Sequence, residues 1–321
     1  MLLNLIIDGN YILSRLVFTL HKNNLLYGAL ETSLENTISN YRKLYPFCNI
    51  YFVSDSREKS WRKKINKDYK AKRKKDSDID WTFVYDTYNR FKENINVRVL
   101  ESPNIEGDDW ISFIVKESNK EGYSNLIISN DHDIKQLLHF DLDNLFINMM
   151  TNEMYKKGKI FLPQNWKLFL DKVKAQPSDD IFNLNDNKEF LVFMDVLTNK
   201  YQVDEIDCVK SLIIKIISGD ASDNIRSVWS KKDKSGRWRG IGEKGAESIY
   251  QRYIQEFGEP DLKDPDLYEN IADLIVEKKK LSRNNMESII DRIKQNVTMV
   301  DLTVENLPNQ VIERMKNDFV L

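Results

Sequence analysis

The chain is poor in the residues that thiolate and imidazole chemistry need. In 321 residues it has two cysteines, Cys48 and Cys208, and three histidines, His21, His132 and His139. The cysteines are far apart and show no ligand-type spacing, so zinc sites are excluded and any metal must be held by oxygen. No run of about 18 apolar residues occurs, so no membrane-spanning helix is expected. The opening Met1-Leu-Leu-Asn-Leu-Ile-Ile7 is apolar, but it is short, lacks a basic leader and runs straight into Asp8-Gly9-Asn10. It reads as a strand and turn rather than a signal peptide, and a cytoplasmic address is expected. Net charge is also nearly absent, at −2, although 31% of residues are charged and 41% hydrophobic. Length and composition suit a globular chain of two domains, or of one domain with a large extension.

The small net charge conceals segregation. Between Arg57 and Lys75 eleven Lys/Arg stand against Glu58 and Asp68, a local charge of +9. Between Arg226 and Glu247 seven Lys/Arg stand against three acids, a local +4. Basic patches of this kind hold polyanions, and acids concentrated elsewhere hold cations.

Hydrophobic periodicity alternates between strand and helix through residues 1–162. Apolar runs at Leu2–Ile7, Asn49–Val53, Val97–Leu100 and Leu126–Ile128 read as strands. Three- and four-residue apolar steps in Tyr27–Tyr45, in Ile79–Phe91 and after Glu106 read as helices. This order predicts βαβ units and a parallel sheet, whose ligands sit beyond the carboxyl ends of the strands. Leu145–Asn148 and Lys159–Leu162 suggest a hairpin closing the domain, and helical patterns follow from Pro163. The boundary is placed near residues 163–175, giving a 1–162 α/β domain and a 163–321 helical domain.

The predicted strand ends carry Asp8, Asp55, Glu106 with Asp108 and Asp109, and Asp131 with Asp133, spread over 125 residues of sequence. Glu106-Gly-Asp-Asp109 also reads as an ordinary acidic helix start, which the macrodipole favours. So many free anions at one sheet edge would raise each other's pKa, and divalent cations relieve that. Mg²⁺ prefers carboxylate and water oxygen, so the pattern points to two-metal phosphodiester chemistry. Asp220 and Asp223, three apart beside Gly219, add a pair that one helical turn would place on one side.

The ordered set Leu5-Ile-Ile-Asp8-Gly-Asn-Tyr11, Asp55, Asp68-Tyr69-Lys70-Ala71-Lys72-Arg73, Glu106-Gly-Asp-Asp109, Ser129-Asn-Asp131-His-Asp133, Gly219-Asp-Ala-Ser-Asp-Asn-Ile225 and Gly240-Ile-Gly-Glu-Lys-Gly-Ala246 resembles the structure-specific 5′-nucleases. These include flap endonucleases, the polymerase I 5′-nuclease domain and bacteriophage ribonuclease H. The motifs cover roughly four fifths of the chain, and their order makes the set specific.

The resemblance implies an α/β nuclease domain with a helical arch (about 56–95), followed by a mostly helical domain with a helix–hairpin–helix (about 219–257). It implies a metal-dependent 5′→3′ exonuclease and flap endonuclease removing RNA primers and flaps from duplex DNA or RNA–DNA hybrid. Asp8, Asp55, Glu106 and Asp108 would surround one Mg²⁺. Asp131, Asp133, Asp220 and Asp223 would serve a second, with Asp109 shared or behind them, and Mn²⁺ could substitute. Tyr69, Lys70 and Arg73 would steer phosphate in the arch, with a ring for a terminal base and Arg62 and Lys63 continuing the nucleic-acid surface. Gly240, Gly242 and Lys244 would meet duplex phosphate, with K⁺ a candidate beside them. A monomer is expected, with a single-strand-binding protein or sliding clamp as candidate partners and the host cytoplasm as address if phage-encoded. A catalytically inert nuclease-like DNA-binding module and an acidic α/β endoribonuclease are the alternatives.

Four features depart from the family pattern. Arg226–Arg239 is a longer basic loop with Trp229 and Trp238, and 163–206 is a longer connection. His132 replaces a basic or small residue and is expected to face solvent or nucleic acid. No convincing sliding-clamp signature is present, and the apolar Asn317-Asp-Phe-Val-Leu321 is the one segment that keeps a clamp contact open.

Overall fold

A computed structural model describes residues 3–44, 48–73, 76–139, 144–148, 153–156, 159–161, 202–205 and 207–319. The boundary expected at 163–175, and most of the long 163–206 connection, lie outside the described residues. The chain forms two compact units, neither continuous in sequence. The first comprises Met1–Lys59, Lys75–Ile206 and Pro308–Leu321, the second Ser60–Lys74 and Asp207–Leu307.

In the first unit β1 (Leu3–Asp8) is buried along its whole length, including Asn4 and Asp8, as a strand inside a parallel sheet covered on both faces should be. It pairs in parallel with β2 (Asn49–Val53) on one side. On the other it pairs in parallel with the strand Ser124–Ser129. Asp8 caps α1 (Gly9–Lys22) by accepting from the Tyr11 amide at 3.0 Å, so the first strand turns into a helix at the acid itself. α2 (Leu26–Leu44) follows. A single helical turn, α3 (Arg62–Ile65), lies in the basic segment. Then come α4 (Trp81–Asn94), capped by Asp80, β3 (Arg98–Leu100), α5 (Gly107–Lys120) and β4 (Ser124–Ser129).

The sheet order is β3-β2-β1-β4, continued by β5 (Leu145–Asn148), β6 (Glu153–Lys156), β7 (Lys159–Phe161) and β8 (Gln202–Glu205). β5 is parallel to β4, and the last strands form an antiparallel meander. The hairpin expected between 145–148 and 159–162 is therefore opened by β6, which pairs with both flanking strands. The topology reverses between β1 and β4, so the crevice outside their carboxyl ends is the switch point of a doubly wound sheet.

Leu5, Ile7, Phe52, Leu126 and Ile128 form one side of the core with Val17, Leu30 and Leu34 of the helices. Trp110 and Phe113 of α5 are also fully buried, each worth about 2–3 kcal/mol of apolar transfer. The end of the chain belongs to this unit. After α6 to α9, described next, α10 (Asn309–Asp318) leads to Phe319, whose ring packs on Phe113 at 5.4 Å and under Arg98 at 4.7 Å. Phe319 is 8% exposed and in the core.

The second unit is helical: α6 (Cys208–Ser218), a ribbon of β9 (Ser230–Lys232) and β10 (Trp238–Gly240), α7 (Glu243–Phe257), α8 (Leu267–Lys279) and α9 (Met286–Val300). Ile213, Ile217, Ile249, Tyr250, Ile275 and Ile293 form its core. Buried Asn296 ties the helices to the loops by donating to the Ile216 and Arg226 carbonyls at 2.8 and 2.9 Å.

Two glycines of the first unit make opposite predictions. A Cβ on Gly9 would lie 2.4 Å from both Phe52 and the Tyr88 hydroxyl, whereas one on Gly28 would meet nothing within 4 Å. Gly9→Ala should cost about 1–3 kcal/mol by overpacking. Gly28→Ala should stabilise α2 by up to about 1 kcal/mol. Denaturant titration of both variants checks the pair.

Candidate active site

Asp8 ends β1 and is 7% exposed. Its Oδ2 accepts from the Ser129 hydroxyl at 2.6 Å, and that same Oγ accepts from the Asp131 amide at 3.0 Å. The ends of β1 and β4 are thus tied through one serine, at the switch point. Asp131 Oδ1 in turn accepts from the Asp133 amide at 2.8 Å, opening the 3₁₀ segment His132–His139. Asp131 and Asp133 are half-buried, and His132 is exposed as expected.

Asp55, beyond β2, is exposed and uses Oδ1 to accept from the Gly107 amide at 2.7 Å, at the N-terminus of α5. Its own amide donates to Asn10 Oδ1 at 3.3 Å. Gly107 permits this approach, since a Cβ there would already lie 3.3 Å from Asp55 Oδ1.

The Glu106-Gly-Asp-Asp109 stretch divides its labour. Glu106 and Asp109 form a capping box, with Asp109 Oδ2 accepting from the Glu106 amide at 3.1 Å. Asp109 is fully buried, so it holds the helix start that presents Glu106 and half-buried Asp108.

Electrostatically this is a carboxylate crowd. Burial, with the charges of Asp55 and Asp131, pushes Asp8 from 3.8 up to about 6, against the lowering pull of Ser129 and the Tyr11 amide. A divalent cation would remove the conflict, and oxygen donors of this kind suit a hard ion. Among the described residues, no three acidic, histidine or cysteine side chains close into a ready-made cage. A hydrated divalent cation, binding through one or two carboxylates and keeping its waters, fits such a donor set.

Asp220 and Asp223 lie in the second unit, on a loop rather than the helical turn expected. Gly219 has φ +73°, and Asp220 and Ile225 bridge each other through both backbone bonds, at 2.9 and 2.7 Å. A Cβ on Gly219 would strike the Ile225 carbonyl at 2.4 Å, so this closure requires glycine. Burial would raise Asp220. The Ser222 hydroxyl, the Lys215 ammonium at 2.9 Å and the Asp223 amide outweigh it and hold the carboxyl at about 2.

The basic segment packs into the same unit. It is one helical turn followed by successive turns rather than a continuous helical arch, because Lys70 adopts φ +54° and the bonds around it run from residue i to i−3. The Lys70 amide donates to the Asp223 carbonyl at 2.9 Å, and the Arg73 guanidinium pairs with the Asp223 carboxylate. Asn66 donates to the Asn224 carbonyl at 3.2 Å and Asn224 to the Asp68 carbonyl at 3.0 Å, lacing segment and loop together.

Two residues expected at the surface are inside. Tyr69 is 3% exposed, so its ring is core rather than a platform for a base. Its neighbour Lys70 keeps its ammonium 5.0 Å over that ring. Arg62 is 2% exposed, donating from Nε to the Met299 carbonyl at 3.1 Å and stacked on Trp61. Lys63 is half-exposed, and Gly240, Gly242 and Lys244 are exposed where β10 gives way to α7.

Ser129 and Lys215 were not singled out from sequence. Ser129 stands two residues before Asp131, but only the β1–β4 pairing reveals that it serves Asp8.

A family model described as the 5′-3′ exonuclease, N-terminal resolvase-like domain, matches residues 3–164. The chain belongs to the 5′-3′ exonuclease family. Among its relatives, a 5′-3′ exonuclease of Buchnera aphidicola (subspecies Schizaphis graminum) is 28% identical over 165 residues, covering 49% of this chain and 55% of that one. One from Mycoplasmopsis pulmonis is 24% identical over 250 residues, covering 78% and 66%. The chain spans about half the length of several of these curated relatives. Among solved structures, zinc-bound T5 5′-exonuclease aligns at TM-score 0.57 and 19% identity, over 98% of this chain and 97% of that one. A bacteriophage T5 flap endonuclease complex with DNA and metal ions aligns at 0.57 and 18% identity, with the same coverage. At such identity the likeness shows the exonuclease fold.

Asn at position 8 keeps the helix cap and removes the buried charge. Asp8→Asn should therefore raise metal-free stability at pH 8 by up to about 3 kcal/mol. Because the raised carboxyl costs stability only once ionised, the gain should grow between pH 4 and 6 and vanish below it. Denaturation at several pH values in chelator checks this.

Proposed function

We propose that the protein is a divalent-metal-dependent 5′-nuclease, a 5′→3′ exonuclease and flap endonuclease hydrolysing phosphodiester bonds near 5′ ends of duplex DNA or RNA–DNA hybrid. The observation that carries this is geometric: at the switch point Asp8 is buried at the end of β1 and tied through the Ser129 hydroxyl to the turn that presents Asp131. Family membership and the metal- and DNA-bound T5 neighbours support the same reading.

Asp8, Asp55, Glu106 and Asp108 would hold one Mg²⁺ and Asp131 and Asp133 would serve a second, with Mn²⁺ able to replace either; in the second unit Asp220 and Asp223 are further candidate metal ligands. When bound, such ions activate water and neutralise the leaving oxygen. Asp109 acts through Glu106, holding the helix start. Ser129 fixes the rotamer of Asp8 and the turn that presents Asp131.

Lys70 and Arg73 supply positive charge to the scissile phosphate. Asp223 organises both, through its carbonyl and its carboxylate, and buried Tyr69 anchors the turn. The exposed amides at Gly242 and the start of α7, with Lys244, take a duplex phosphate without reading sequence. K⁺ beside the Gly240–Gly242 turn would strengthen that contact. Primer and flap removal is the role this chemistry fits, in the cytoplasm and as a monomer, with a single-strand-binding protein or clamp recruiting it.

Asp131→Asn and Asp220→Asn should each slow cleavage of a 5′-labelled flap duplex by about 100-fold or more, with duplex affinity within about threefold of wild type. Lys70→Ala and Arg73→Ala should lower kcat more than affinity. Wild-type turnover in the two acid variants would refute the ligand assignment, and in the two basic variants the steering role.

A further inference from the structure

The basic loop that departs from the family pattern is an ordered antiparallel ribbon. β9 and β10 pair Trp238 with Lys232, Arg239 with Lys231 and Gly240 with Ser230. From Arg226 to Gly240 the segment carries six cations against Asp233 alone, and all six, Arg226, Lys231, Lys232, Lys234, Arg237 and Arg239, are exposed. A ribbon of three-residue strands is marginal on its own, and like charges at this density push it apart.

Its order has identifiable causes. Asp233 ties the turn: Oδ1 accepts from the Ser235 amide and hydroxyl at 2.9 and 2.6 Å and the Arg237 amide at 3.0 Å, and Oδ2 meets Arg239 at 3.0 Å. Trp238, 46% exposed, carries Arg226 at 4.2 Å and Lys232 at 5.5 Å from its ring centroid. These cations are held on an indole face instead of swinging free, which lowers the entropy lost on contact.

The ribbon's base is fixed to the glycine turn. Ser227 Oγ donates to the Trp229 carbonyl at 2.7 Å and accepts from the Ile241 amide at 3.1 Å, and Gly240 is both the last residue of β10 and the first glycine of the turn. Ribbon and α7 N-terminus are therefore one braced surface. A sixfold cationic, sequence-neutral surface with an aromatic at its centre matches a phosphate backbone, not an apolar protein face.

We propose that the β9–β10 ribbon is a second duplex-gripping element, which extends the contact at Gly240–Gly242 along the nucleic-acid backbone and adds affinity without specificity. The inference rests on the nuclease reading for its substrate class.

The test compares three proteins, all checked by thermal melting: wild type, Lys231→Gln/Lys232→Gln/Lys234→Gln/Arg237→Gln, and a control with the same charge change, Lys22→Gln/Lys43→Gln/Lys263→Gln/Lys316→Gln. Arg239 is spared because it braces Asp233. Binding of a short blunt duplex is followed by fluorescence anisotropy across a salt series. The ribbon variant should lose about 0.9 in the slope of log K against log salt for each phosphate contact removed, roughly 2–4 in all. Its affinity should fall about tenfold or more, with an unchanged cleavage rate at saturating enzyme, and the control should keep the wild-type slope. A ribbon variant with the wild-type slope, or a control that falls equally, overturns the proposal. If the ribbon variant alone loses slope while wild type fails to cut a flap duplex, the ribbon stands and the nuclease reading falls.

Discussion

Parallel strands deliver their carboxyl ends to one edge, and at that edge Asp8 is buried between a helix it caps and a serine it shares with Asp131. The carboxyl cannot move out without uncapping α1, and burial, with smaller contributions from the charges of Asp55 and Asp131, opposes its ionisation. A fold that keeps such a group carries a standing cost in the absence of a cation, which is the signature of a site shaped for function rather than stability. The Asp55 contact to the start of α5, the capping box at Glu106 and Asp109, and the turn at Asp131 all fix the acids around that one buried carboxyl.

The second unit solves a related problem with opposite means. Asp220 is surrounded by donors and kept ionised, and Asp223 is bound to Arg73. The glycine-closed loop and the basic segment thus form one laced structure, so a cation taken up by Asp223 would compete with Arg73.

Much of this was legible in the sequence because the signals were local. Apolar runs ending in acids gave the strands β1 to β4 and the acids at their ends, and the apolar spacing gave α2, α4 and α5. What escaped depended on tertiary context. Nothing local marks Tyr69 or Arg62 as buried, since a cationic run reads as solvated whichever residue the core recruits. The positive φ at Lys70 and the bridge between Asp220 and Ile225 replaced helical spacing with turns. β6 was too short and polar to announce itself, and the β9–β10 ribbon, without alternation, read as a loop. At Asp109 the helix-start reading is visible directly, since its carboxylate closes the capping box with Glu106.

The most direct measurement is single-turnover release of the 5′ end from a labelled flap duplex, with Mg²⁺ and with EDTA. Cleavage is expected with Mg²⁺, none in EDTA, and recovery when Mg²⁺ or Mn²⁺ is added back. Cleavage that persists in EDTA, or none with either metal, would contradict it.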